Sequence, residues 1–333
     1  MNLQPPASYP REINVVGPIT PACERVQQML FKPFDLAKWI TLGFCAWLAG
    51  LGESGGGGSY GYNGDNHGGN QAGQPLEQFR HFYHAAGDYM TANLVWIVPL
   101  AIFLVLAGVA LWVLVLWLSS RGKFMFLHCV ALDKAEVEVP WRQFAGAANR
   151  LLRFRVVLGL IAMGIMLPLL GLAAIVILRM VLRGEADAAG VVTALALGLA
   201  FVFLALVLTV IRKFMVDFVV PIMFLRGGGC WAAWREFYAL LSANVANFAL
   251  YILFQIVLTM AIGIIVLLAI LATCCIAGCL LLLPFLGTVL LLPVLVFKRA
   301  YPLYYLAQYG PQYDVFPVPP ALPSLPVQPP VAG

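Results

Sequence analysis

Charge is what this chain has least of: aspartate, glutamate, lysine and arginine make up 11% of its 333 residues, against about a quarter in an ordinary soluble domain. A soluble fold covers most of its surface with such side chains, so a water-soluble globule is excluded. The marks of catalysis are missing as well. There is no HExxH, no glycine-serine elbow, no phosphate loop and no dinucleotide fingerprint, and no lysine with Walker-type spacing follows the run Gly55–Gly58. An enzyme is not expected, nor any cofactor. The seven cysteines form no disulfide framework. Cys45, Cys274, Cys275 and Cys279 lie in or beside apolar runs, and Cys23, Cys129 and Cys230 fall in segments expected in the reducing cytoplasm. The first 30 residues hold five prolines and no apolar core, so no cleavable signal is expected.

What is abundant is hydrophobic sequence, 62% of the chain, in runs long enough to cross ~30 Å of hydrocarbon. The expected fold class is all-α: a polytopic helical membrane protein of about six transmembrane helices with interfacial amphipathic helices. The spans fall near residues 36–52, 93–118, 156–178, 191–211, 248–273 and 277–297. The last two divide an uncharged run too long for one crossing, and Pro284 and Pro293 are expected to kink the sixth. Residues 1–22 read as a disordered N-terminus, 23–314 as one membrane domain, 52–74 as a glycine-rich external loop and 315–333 as a proline-rich cytoplasmic tail. The tail suits polyproline II and is a candidate segment for docking on a protein partner, although an unstructured tail is the preferred reading.

Lysine and arginine set the orientation. With both termini inside, seventeen of them lie on the cytoplasmic side and only Arg80, Arg179 and Arg183 outside. The expected location is the plasma (inner) membrane. Because the basic residues flank apolar runs instead of forming a hydrophilic domain, the net charge of +5 points to anionic head groups as partner and not to nucleic acid.

The chain repeats itself. Lys123-Phe124-Met125 recurs 90 residues later as Lys213-Phe214-Met215, and Trp141-Arg142-Gln143-Phe144 recurs 93 residues later as Trp234-Arg235-Glu236-Phe237. Both tetrapeptides open helical stretches that lead into the next span. An arrangement of three units follows, each an interfacial helix and a transmembrane hairpin, with the N-terminal copy the most divergent.

Two groups of residues are candidate sites. Glu77, His81, His84 and Asp88 share one helical stripe and are metal-ligand types. With Leu76, Phe79, Phe82, Tyr83 and Met90 opposite, the same stripe is the solvated side of a surface helix, and that reading is preferred. Arg150, Arg153 and Arg155, where the chain enters the third span, are candidates for holding anionic lipid head groups. Asp133, Glu136 and Glu138 read as a solvated cluster. Asn93, Asn247, Gln255 and Thr259 read as interhelical hydrogen-bonding residues, and a cavity lined by Gln255 and Thr259 would favour transport.

The run from Asp217 to Leu250, with RGKFMFL from Arg121, PWRQF from Pro140 and LPFLGTVLLLP from Leu283, resembles uncharacterised bacterial six-helix proteins related to the membrane domain of glycerophosphodiester phosphodiesterases. The resemblance covers about Pro21 to Phe316. In those enzymes a separate soluble domain carries the catalysis, and this sequence contains no counterpart. It implies a lipid-associated or envelope role without catalytic residues. The functional expectation is a scaffold or accessory in lipid or envelope processes, the alternative a transporter or permease for a small or lipid-like solute.

Overall fold

The structure is a computed structural model, which describes residues 13–51, 94–183, 187–273, 278, 281 and 283–316. Every regular element among them is helical. In chain order they are α1 (Ile19–Phe31), α2 (Leu36–Gly50), α3 (Leu94–Leu132), α4 (Glu138–Gln143), α5 (Ala145–Arg183), α6 (Ala188–Phe214), a π-helical turn (Met215–Val219), α7 (Val220–Arg226), α8 (Cys230–Ala243), α9 (Val245–Ala272), α10 (Pro284–Leu290), α11 (Leu292–Ala307) and a short 3-10 turn (Pro311–Tyr313).

Among the described residues four helical stretches are long and apolar enough to cross a membrane: Val95–Leu132, Ala145–Met180, Ala188–Arg226 and Val245–Ala272. That is fewer than the six expected. The first expected span is α2, whose 15 residues reach only about 22 Å at 1.5 Å each. The sixth is not one kinked helix. Its described part is two helices meeting at Leu291, with Pro284 and Pro293 each in the first turn of its own helix. Proline lacks the N–H that a helix interior needs and is tolerated where that donor would be unpaired, so here the two prolines open helices instead of bending one.

Burial is concentrated at one end, here called the base. On α3, Phe124, Met125, Leu127, Cys129 and Val130 are buried, whereas Val95, Trp96, Phe103 and Leu104 near its other end are exposed. The same gradient runs along α6 and α9, where Phe214, Phe248 and Tyr251 are buried and Val192, Phe203, Leu253 and Ile264 exposed. The apolar halves of the long helices therefore stand out from a packed base. The expected N-terminal boundary at residue 22 falls inside α1. The Gln308 side-chain amide accepts from the Asn14 N–H at 2.8 Å and donates to the Asn14 carbonyl at 3.0 Å, and Val15 is buried. At the other end Phe316 stacks on Tyr304 at 4.2 Å.

Glycine lets the first hairpin close. A Cβ on Gly122 would lie 2.5 Å from backbone atoms of both Leu48 and Ala49, so only glycine permits this approach of α2 to α3. Asp35 caps α2 by accepting from the Ala37 N–H at 2.9 Å, and Lys38 pairs with Asp133 at 2.9 Å.

The base has a cyclic pattern. Three segments extend the helices beyond their exposed apolar stretches: the end of α3, the π turn with α7, and α11. Each touches the other two. The helix preceding each unit docks on the extension of the unit before it. α4 lies on α3, α8 on the π turn and α7, and α1 on α11. The repeated phenylalanines play matching parts. Phe124 stacks on Phe144 at 5.9 Å, and Phe214 meets Phe237 at 5.3 Å. The copies differ in one respect. α4 is only six residues and passes through Phe144 into α5, whereas α8 is a separate 14-residue helix.

Candidate functional site

A buried polar group lies where α6, the π turn, the start of α9 and α11 meet. Pro221 causes the π turn. It has no N–H for the carbonyl of Asp217, and the Val220 N–H instead reaches back to the Met215 carbonyl, a widening of the kind often found at functional positions. Asp217 lies inside this turn and is 3% exposed. One oxygen of its carboxylate, Oδ2, accepts from the Tyr251 hydroxyl at 2.7 Å and pairs with Lys213 Nζ at 2.9 Å. Gln255, one turn further along α9, donates to the Tyr251 oxygen at 3.2 Å. From α11, the buried Arg299 donates to the Val216 carbonyl at 2.8 Å.

Lys298 completes the group. It is half-buried. Its ammonium is held below the usual lysine range, first by burial and then by repulsion from Lys213, with Asp217 partly opposing both. Two lysines thus share the field of one carboxylate, with Arg299 bound to the neighbouring Val216 carbonyl. Aromatic rings wall the site: Tyr251 lies 5.0 Å from Phe218, 4.7 Å from Tyr305 and 6.0 Å from Tyr301. Burial raises the phenols of Tyr301, Tyr305 and Tyr309 above their ordinary value, so all three are neutral at physiological pH. This arrangement suits holding an anion or fixing helix geometry.

The residues singled out from the sequence are distributed differently. Glu77, His81, His84 and Asp88 lie outside the described residues, as do the glycine-rich loop, Cys274, Cys275, Cys279 and the tail beyond residue 316. Among the described residues no group of three metal-ligand side chains is found. The three arginines do not share one surface. Arg150 donates to the Gly227 carbonyl at 2.8 Å and Arg153 is exposed. Arg155 turns inward to the hydroxyls of Ser120 and Ser119 at 3.0 and 3.2 Å. Asp133 and Glu138 are held apart, by Lys38 and Arg142 respectively. Gln255 is buried while Thr259 is exposed, so they line no common cavity.

Sequence reasoning passed over Asp217. Its signal was present: it is the only carboxylate between Asp187 and Glu236 and lies four residues after Lys213. A second feature was also missed. The Arg121 guanidinium sits between two indoles, 4.8 Å from the Trp117 ring and 4.7 Å from the Trp141 ring, which joins α3 to α4 by paired cation–π contacts.

No curated protein and no solved structure matches the chain. One family model does, over residues 13–294, most of the length. The chain therefore belongs to the family of unknown function DUF7544.

Proposed function

We propose that the protein is a non-enzymatic integral membrane protein of the plasma (inner) membrane, acting as a scaffold or accessory in lipid or envelope processes. The observation that carries this reading is the division of the molecule into a packed base and long helices with exposed apolar flanks. Such flanks are stable in hydrocarbon and not in water. The base then lies in the cytoplasmic head-group layer, with both termini on that side, as the distribution of lysine and arginine requires. Six crossings complete the proposal, α2 and residues 277–297 adding the two shorter ones. A relation of the Asp217–Leu250 run to uncharacterised bacterial six-helix proteins, themselves related to the membrane domain of glycerophosphodiester phosphodiesterases, is part of the same proposal and accords with a lipid-side role.

Transport of a small or lipid-like solute is the second reading, favoured by the Asp217–Tyr251–Gln255 chain, which carries polar groups into α9. Liposomes separate the two. Loaded with a small anionic dye and with potassium, vesicles containing the purified protein should lose both no faster than protein-free vesicles. Release that scales with the amount of protein would overturn the scaffold reading in favour of transport.

A further inference from the structure

The apolar half of the molecule is closed along two seams and open along the third. α3 packs on α5, and α2 packs on α10. Between the second and third units the matching seam would join α6 to α9, yet among the described residues these two helices meet at the base, where Phe214 and Phe248 are 6.2 Å apart, and pack far less than the helices of the other two seams. They are 27 and 28 residues long, and both carry exposed apolar side chains near the base: Val202, Phe203 and Leu206 on α6, Leu253, Ile256 and Val257 on α9.

The polar site closes the base end of this seam. Lys213 is in the last turn of α6, and Tyr251 and Gln255 are in the first turns of α9. Lys298 borders the same place. It precedes Arg299 on α11, which packs on the π turn. It is half-buried and lies in the fields of Lys213 and Asp217, while making no hydrogen bond or ion pair among the described residues. Lys213 is 39% exposed and already shares Asp217 with Tyr251. Lys213 and Lys298 thus bring two cations to the one carboxylate of Asp217 at the base end of the apolar seam.

The geometry points to an anionic phospholipid in the α6–α9 seam, its phosphate between the ammonium groups of Lys213 and Lys298 and its acyl chains along the exposed flanks. A soluble phosphate ester would satisfy the cations alone; the apolar flanks call for a lipid. The inference rests on the membrane-embedded reading above and names the ligand of that protein.

The test uses the full chain purified in a mild detergent. Native mass spectrometry counts retained lipid, and thermal unfolding follows the addition of phosphatidylglycerol or of phosphatidylcholine with the same chains. Wild type should retain phosphatidylglycerol and be stabilised by it, and respond little to phosphatidylcholine. A basic residue near an anionic surface is worth ~1 kcal/mol, a factor of about five. Lys298→Gln should therefore lower retention about fivefold, and the Lys213→Gln/Lys298→Gln pair about twenty-five-fold. Arg142→Gln, at an exposed position paired with Glu138, should change nothing. Because Lys298 has no partner to lose, Lys298→Gln should unfold no lower than wild type without lipid, which separates lost binding from lost folding.

Equal phosphatidylglycerol in Lys298→Gln and wild type would overturn the proposal. So would displacement of the lipid by equal concentrations of inorganic phosphate or glycerol phosphate, or a lipid-free dimer, which would assign the seam to a second copy. A protein that releases solute from liposomes yet loses lipid on Lys298→Gln keeps the site and loses the scaffold reading. The opposite pair of results keeps the scaffold and loses the site.

Discussion

Replacing Tyr251 with phenylalanine removes one hydroxyl and little else. The ring keeps its contacts with Phe218, Tyr301 and Tyr305, while the donor to Asp217 at 2.7 Å and the longer acceptor for Gln255 at 3.2 Å are lost; an Asp217→Leu background separates the first from the second. A hydrogen bond to a charged group contributes about 1.5–3 kcal/mol, and here the abandoned acceptor is a buried carboxylate. Lys213 still faces that oxygen at 2.9 Å, which places the expected loss at about 2 kcal/mol. For domains of 150–250 residues each kcal/mol moves the melting temperature by about 2–4 °C and a longer chain moves less, so a fall of roughly 3 °C is expected in detergent. In an Asp217→Leu background the hydroxyl has no acceptor to lose, and the same change should cost less than half as much. A Tyr251→Phe variant within about 0.5 kcal/mol of wild type, or equal costs in the two backgrounds, would refute the assignment of Asp217 as a buried carboxylate held by Tyr251.

Gly122→Ala forces a methyl into the backbone of Leu48 and Ala49 and should destabilise by about 1–3 kcal/mol, whereas Gly50→Ala, with nothing within 4 Å, should be near neutral in the same melting assay. Arg155→Met removes the donor shared by Ser119 and Ser120 and should also lower the melting temperature, while Arg153→Met at an exposed position should not. Burial pushes the Cys230 thiol up to about 12, so mass spectrometry after iodoacetamide near neutral pH should find the exposed Cys23 alkylated well before Cys230. The raised phenols of Tyr301, Tyr305 and Tyr309 keep their protons in the folded state when the unfolded chain has begun to lose them near 10.0. Their contribution to stability is thus complete below that pH and should fall progressively above it, as melting curves at successive alkaline pH values would show.

The long helices were legible because hydrophobic length is a local property, and a run such as Val245–Ala272 declares itself without reference to its neighbours. The repeat was legible for a similar reason, since Phe124 and Phe214 recur in matching words and then make matching ring contacts. What escaped depends on tertiary placement. Arg150, Arg153 and Arg155 are close in sequence, yet α5 places Arg155 opposite Ser119 and Ser120 of α3, and the cluster divides. Asp217 looked like any carboxylate near a membrane surface; the π turn and Tyr251, 34 residues away, bury it. Lys298 gained interest only when α11 brought it beside Lys213. The open seam between α6 and α9 is a property of packing between units, which neither helix records in its own residues.

The account stands most directly on the base being cytoplasmic and the apolar halves of the helices lying in the bilayer. Single cysteines at Ser59 and at Ser324, in a cysteine-free background, can be challenged with a membrane-impermeant maleimide in intact cells and again after permeabilisation. The account predicts that Ser59→Cys is labelled in intact cells and that Ser324→Cys is labelled only after permeabilisation, because seventeen of the twenty lysines and arginines hold the opposite side inside. Equal labelling of the two positions in intact cells, or labelling of Ser324→Cys alone, would contradict it.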